Sequence, residues 1–170
     1  SLSLNQATLE FKKLDERFEN LRKIQNVFLN CFFNSPNTKN LFAQLTSNKK
    51  TDFSRYNYFY AKYLESLNKN EKSKKIITQA LKLYPRNLLL NQHKADLKNQ
   101  NSNLNFSCKK EEHVAAEIIY IAANALSSQS IFPLSNFYLN LAKYLNKEFH
   151  TFDTLLAENF FKIEDYSTSK

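Results

Sequence analysis

His93, Cys108 and His113 are the residues whose types could hold a metal ion. Their spacing matches no zinc pattern of paired cysteines or of histidines on one helical turn, so we read the two histidines as surface residues flanking a loop and expect no metal and no cofactor. Glu111, Glu112 and Glu117 could serve acid–base chemistry, but they stand near a helix start, where carboxylates favour the positive end of the dipole, and that accounts for them. The chain has no glycine, hence no glycine loop to cradle a nucleotide phosphate. With three histidines, no Ser-His-Asp or Cys-His set can be assembled, and we expect no catalytic residues and no enzyme. Cys31 and Cys108 lie far apart and form no CxxC pair, which suggests neither a zinc ribbon nor a disulfide framework and leaves the redox compartment open.

The formal charge of +8 comes mostly from lysine, with Arg17, Arg22, Arg55 and Arg86 the only guanidinium groups. Arginine is the usual residue for bidentate phosphate recognition, whereas lysine spread over helices often only solvates them. Basicity together with tyrosine nonetheless keeps single-stranded RNA as an alternative ligand.

Absent glycine and three prolines disfavour hairpin turns and point to helices. No run of eighteen apolar residues exists, so no transmembrane segment is expected. Ser1 in place of methionine suggests an excerpt or a processed form, and the compartment, cytoplasm or periplasm, stays open. Leu4, Ala7, Phe11, Leu14, Phe18, Leu21, Gln25, Phe28 and Phe32 follow a three-four spacing and form one stripe of a long helix, or of two joined end to end. Glu10, Asp15, Arg17 and Arg22 would flank the seam of a coiled coil, whereas Ile24, Leu29 and Cys31 widen the stripe as packing on the chain's own domain requires. Ser35 and Pro36 end it.

A short helix is expected over 38–46, with Leu41, Phe42 and Leu45 inward. After the polar run 47–52, Tyr56, Tyr60, Tyr63, Leu64 and Leu67 share a face, and past 68–70 so do Ile76, Ile77, Ala80, Leu81 and Tyr84. Two such amphipathic helices can bury their faces by packing antiparallel, after which Pro85 forces the chain out before a third begins at Leu88. Ala61 and Ala95 are 34 apart, as are Ala123 and Ala157, Phe132 and Tyr166, and Ser135 and Ser169. Ala61, Ser73 and Ala80 are spaced as Ala123, Ser135 and Ala142 are.

These residues resemble the tetratricopeptide repeat, in which small residues recur where helix backbones touch and a proline often follows the second helix. Residues 54–87 match through Ala61, Ser73, Ala80 and Pro85. Residues 116–149 match through Ala123, Ser135 and Ala142, with Lys147 in place of the proline, and residues from 150 onward match through Leu156, Ala157, Phe160, Tyr166 and Ser169. Asn68, Ser130 and Glu164 fall at the turn between helices, where the family often has glycine, and Pro133 suits the first turn of a second helix. The wording ANALSSQS and LLAENFF is also similar to large repeat proteins of alphaproteobacteria.

The resemblance implies an all-α fold of antiparallel helix pairs stacked as a right-handed superhelix, an α-α solenoid, with an extra N-terminal helical segment. Residues 1–52 form that segment, packed on repeats over 53–170. Within the repeats, 53–87 is regular, 88–115 degenerate with a surface loop or short irregular crossing at 98–112, 116–149 regular and 150–170 partial. Such a stack implies a non-enzymatic scaffold or adaptor that binds a peptide or partner helix in its concave groove. Exposed groove positions would be Arg55, Tyr58, Lys62, Gln92, Asp96, Tyr120, Asn124, Thr154 and Glu158, with Tyr58 and Tyr120 either anchors for the partner or half-buried packing residues. Self-association through the N-terminal stripe or the uncapped C-terminal repeat is the further option.

Overall fold

The computed structural model describes residues 3–6, 9, 18–48, 50–99 and 105–168, with side chains through 164. Of the N-terminal stripe, Ala7, Phe11 and Leu14 lie outside the described residues, as do Glu10, Asp15 and Arg17; Ser169 and the Tyr166 side chain also lie outside. Every regular element among the described residues is a helix, and none is long and apolar enough to cross a membrane. Contacts divide the chain into two compact units, 1–109 and 110–170.

The first unit holds α1 (Glu19–Phe32), α2 (Thr38–Thr46), α3 (Tyr56–Ser66), α4 (Asn70–Leu83) and α5 (Leu88–Lys98). In α1 the buried residues are Ile24, Val27, Phe28, Asn30 and Cys31, while Phe18 just before it is half exposed, so the inward face is centred on Phe28. α2 buries Phe42 and Leu45, and its first residue, Thr38, donates its hydroxyl to the Ser35 carbonyl at 2.8 Å. α3 is buried nearly all round because α2, α4 and α5 all pack on it, as a central helix must be. α4 also packs on α5. Its buried residues are Ser73, Ile77 and Ala80, one stripe at helical spacing, while its outer face is exposed and rich in lysine. Pro85 follows the end of α4, and Asn87 then caps α5 by accepting from the Leu90 amide at 3.1 Å.

An aromatic cluster fills this unit. Phe28 lies 5.3 Å from Phe59 and 6.4 Å from Phe42 between ring centroids, and Phe42 stacks on Tyr60 at 5.4 Å. Of the two readings of the 98–112 stretch, surface loop or short irregular crossing, residues 105–110 form an irregular segment that packs inward. Phe106 is buried and meets the Phe59 ring at 4.5 Å, Cys108 is buried, and Asn105 accepts the Tyr58 hydroxyl at 3.1 Å. The polar composition of 98–112 concealed two apolar side chains that the aromatic cluster takes in.

The second unit is α6 (Glu111–Ser128), α7 (Phe132–Leu145) and α8 (Thr151–Thr168), in which α6 packs on α7, α7 on α8 and α6 on α8. Glu111 and Glu112 sit in the first turn of α6, and Pro133 in the first turn of α7, where its missing amide costs no hydrogen bond. Ala116, Ala123, Ser127, Ser135, Leu139 and Ala142 form the interior of this pair. The expected turn at Glu164 is absent, since α8 runs on to Thr168. Glutamate is a good helix former and tolerates the left-handed region poorly, so the helix continues through it.

Three helix ends need a residue at positive φ in a chain without glycine. Asn34, Asn68 and Ser130 supply it at 57°, 58° and 61°. Behind each, an amide reaches back to the carbonyl five residues earlier: Ser35 to Asn30 at 2.9 Å, Lys69 to Leu64 at 2.9 Å and Ile131 to Leu126 at 3.0 Å. That six-to-one bond turns the chain sharply enough for the next helix to fold back on the last.

Candidate functional site

Where α3 ends and α4 begins, the tight turn at Asn68 brings Glu65 opposite Ser73, and α5 adds His93. Glu65 Oε1 accepts from Ser73 Oγ at 2.6 Å and from His93 Nε2 at 2.8 Å, while Oε2 receives Lys62 Nζ at 3.1 Å. A carboxylate only accepts, so His93 carries its proton on Nε2. The His93 ring stands edge-on to Tyr58 at 5.0 Å. Burial alone would raise the Glu65 pKa from its ordinary 4.5. The hydrogen bonds from His93 and Ser73, with the charges of His93 and Lys62, outweigh burial and hold it at about 2.

Serine, glutamate and histidine together invite comparison with a nucleophile triad, but the order is wrong. The carboxylate lies between serine and histidine, so the hydroxyl points at a group with pKa about 2, far too weak a base to activate it. The cluster instead joins three helices through one anion.

A cavity of about 480 Å³ opens beside it. Phe59, Lys62, Tyr63 and Glu65 from α3, His93, Asp96 and Leu97 from α5, and Lys74 from α4 line it, with residues 106–109 as the remaining wall. That wall is fixed covalently. Cys108 is joined to Cys31 of α1, their Cα atoms 5.9 Å apart, a disulfide that the spacing of the two cysteines did not suggest. Next to it, Lys109 Nζ donates to the Cys31 carbonyl, to Asn34 Oδ1 and, at 3.4 Å, to the Phe32 carbonyl. The ammonium sits at the C-terminal end of α1, where the helix dipole favours positive charge, and partial burial lowers its pKa.

The second unit carries a comparable junction built from neutral groups. Ser127 Oγ donates to Asn159 Oδ1 at 2.5 Å, Asn159 Nδ2 donates to Ser135 Oγ at 2.9 Å and to Asn136 Oδ1 at 2.7 Å, and Ser135 Oγ donates to the Ala123 carbonyl at 2.8 Å. Asn159 is fully buried. Adding 62 to Ala61, Ser73 and Ala80 gives Ala123, Ser135 and Ala142, and the same shift carries Glu65 onto Ser127.

Among the packing positions singled out from the sequence, Ala61, Ser73, Ala80, Ala123, Ser135 and Ala142 are buried, whereas Pro85, Ala95 and Ala157 are exposed. Ala95 and Ala157 belong to α5 and α8, the last helix described in each unit.

The groove positions scatter. Lys62 and Asp96 line the cavity, but Lys62 is buried against Glu65 and Asp96 accepts from Gln92 at 2.9 Å. Tyr58 is 2% exposed, so it is a core residue and presents no surface to a partner. Arg55 is half-buried, its guanidinium 5.5 Å from the centre of the Phe59 ring. Tyr120 is half-buried against Phe152 at 5.7 Å, and Asn124, Thr154 and Glu158 are exposed on the second unit. The residues considered for metal are committed elsewhere: His93 to Glu65 and Cys108 to Cys31, with His113 buried on the second unit. No group of three His, Cys, Asp or Glu among the described residues could hold a metal ion.

Sequence reasoning missed Glu65 and the disulfide, and its reading of His93 and His113 as surface residues is corrected, since both are buried. A signal existed for the first: eight positions separate Glu65 from Ser73, the reach of an antiparallel helix pair across a tight turn. No signal existed for the disulfide, whose partners are 77 residues apart. No protein-family model, no curated protein and no solved structure matches the chain.

Proposed function

We propose that the chain is a tetratricopeptide-like helical-repeat scaffold without enzymatic activity, and that its cavity between α3 and α5 receives a segment of a protein partner. The supporting observation is a packing order found twice. α3 packs on α4, α4 on α5 and α3 on α5, and α6, α7 and α8 follow the same order, with alanine and serine buried where α3 meets α4 and where α6 meets α7. In such a repeat the first helices line the inner surface, and here two of them, α3 and α5, frame the cavity. Its walls mix rings with lysine and aspartate, which suits a peptide bearing both apolar and charged side chains. The serine has no usable base, which favours binding over reaction.

Selection of peptides from a random displayed library tests this. Selected peptides should bind the wild type and lose about tenfold or more in affinity when Asp96→Lys and Lys74→Glu reverse two of the wall charges, a change of roughly 1.4 kcal/mol or more. Absence of any selected peptide, or equal affinity for both proteins, would remove the cavity as a docking site.

A second depression of about 360 Å³, lined by Lys74, Lys94 and Lys98 with no carboxylate, favours the alternative of single-stranded RNA. Binding there should weaken steeply as salt rises. An RNA that binds at low salt and is lost on Lys94→Glu would support the RNA reading against the peptide one.

A further inference from the structure

Net charge is unevenly divided along the chain. Residues 110–170 carry five lysines against eight carboxylates, so the whole +8 excess belongs to the first unit. Within it, residues 69–98 hold seven lysines and Arg86 against Glu71 and Asp96 alone. On α4, Lys72, Lys75, Gln79 and Lys82 follow a spacing of three, four and three, all exposed, opposite the buried Ser73, Ile77 and Ala80. Glu71 is engaged by Lys74 at 2.9 Å, and Lys72, Lys75 and Lys82 have no carboxylate partner among the described residues. The 62-residue shift that matches the two units puts Leu134, Phe137, Leu141 and Tyr144 at the same four positions of α7, so the packing does not call for lysine there. Where α4 passes to α5, Leu83 and Leu88 are 75% and 70% exposed, with Lys82 and Arg86 exposed beside them. Leu83 follows Gln79 by four residues and so continues the lysine face.

We propose that this face docks on an anionic phospholipid bilayer, with α4 lying in the headgroup plane and the corner at Leu83 and Leu88 entering the boundary of the acyl chains. Charge complementarity selects the sign of the partner, and the leucines select its kind. At an anionic leaflet each lysine near the surface strengthens partitioning about fivefold. Lysine is a point charge without the arginine fork, which suits a diffuse field of headgroups better than a bidentate contact to one phosphate or base. A leucine left three-quarters exposed among cations gains by reaching the acyl boundary. Along a single-stranded nucleic acid it gains little, because stacked rings supply the apolar contact there. From Lys72 to Lys82 the helix rises about 15 Å, so the three ammonium groups and the leucine corner can meet one flat surface together.

Co-sedimentation with vesicles tests the proposal. Wild type should bind phosphatidylcholine vesicles containing about 30% phosphatidylserine, leave pure phosphatidylcholine unbound, and come off as salt rises from about 50 to 500 mM. Lys72→Gln, Lys75→Gln and Lys82→Gln should each lower the partition coefficient about fivefold, and Leu83→Ser or Leu88→Ser about tenfold. None of these five residues lines either depression, so peptide binding in the cavity should persist in every variant. Lys147→Gln on the second unit should change nothing. All six side chains are exposed, so helical content by circular dichroism should stay constant across the series. A wild type that leaves anionic vesicles unbound, or an equal loss with Lys147→Gln, would overturn the docking face. Leucine variants that bind as the wild type does would overturn the insertion of the corner. A single-stranded oligonucleotide held through the same lysines, with the vesicles left unbound, would assign the face to nucleic acid instead.

Discussion

Lys72, Lys75, Gln79 and Lys82 on α4 and Leu134, Phe137, Leu141 and Tyr144 on α7 occupy the same four outward positions of two helices whose inward positions are Ser73 and Ala80 in one and Ser135 and Ala142 in the other. The insides had to agree because backbones touch there, and a side chain larger than serine or alanine would separate them. Outside, these side chains are exposed, and the two sequences diverged to lysine and to leucine and aromatic residues. The polar junctions differ in the same way. The first unit ties three of its helices, α3, α4 and α5, through a charged Glu65 held by Ser73, His93 and Lys62, while the second uses Ser127, Asn159 and Ser135, all neutral. Position in the packing fixed residue size, and left charge free to vary.

The largest expected break in that comparison is at the disulfide, which only the first unit has. It closes a loop of 77 residues, and Cys108→Ser should cost about 4 kcal/mol, chiefly by freeing the unfolded chain. Hydrogen exchange should show faster opening of amides in α1 and α3 and little change in α7. Equal acceleration in both units would mean that they do not open separately.

Next in size is the junction. Glu65→Gln should destabilise the first unit by about 1–2 kcal/mol near neutral pH, allowing for the part of Glu65 that solvent screens. The sign with pH follows from a lowered carboxylate pKa. Stability from Glu65 is complete above its ordinary 4.5 and falls away as pH drops toward about 2, so the wild type should lose stability across that window and the Gln variant should lose less. Urea titrations at both ends of the window measure this. Asn159→Ala should cost about 1–3 kcal/mol with no such slope, since none of its three partners, Ser127, Ser135 and Asn136, titrates. Asp153 on the second unit is also held below the usual carboxylate range, by the Lys143 hydrogen bond first and then by His150, but it lies at the surface and contributes little.

The smallest effect concerns the turns. Ser130→Gly should stabilise the second unit by up to about 1 kcal/mol, because serine at φ 61° bears a Cβ penalty that glycine lacks. Asn68→Gly in the first unit should gain less, since asparagine tolerates that region. Reversal of that order in thermal unfolding would show that the Asn68 side chain does not ease its own turn.

Much of this was legible from spacing. The helix over 38–46, the reversal at Pro85 and the crossing residues Ala61, Ser73, Ala80, Ala123, Ser135 and Ala142 all follow from period and size, which are local properties of the chain. Tyr58 was not legible as core: a tyrosine on a first helix serves a groove or an interior equally well, and only the approach of residues 105 and 93 decides. Phe106 and Cys108 were hidden in a polar stretch for the same reason, their neighbours being Phe59 and Cys31 rather than anything nearby in sequence. The continuation of α8 past Glu164 was readable from helix propensity, had the repeat spacing not argued for a turn.

Equilibrium unfolding of four alanine-to-leucine variants bears most directly on the idea that one packing pattern is used twice. Ala61→Leu and Ala123→Leu should each overfill a helix contact and lose about 1–3 kcal/mol, while Ala95→Leu and Ala157→Leu, on exposed faces, should change stability by less than about 0.5 kcal/mol. Losses of similar size at all four positions, or none at Ala61 and Ala123, would contradict it.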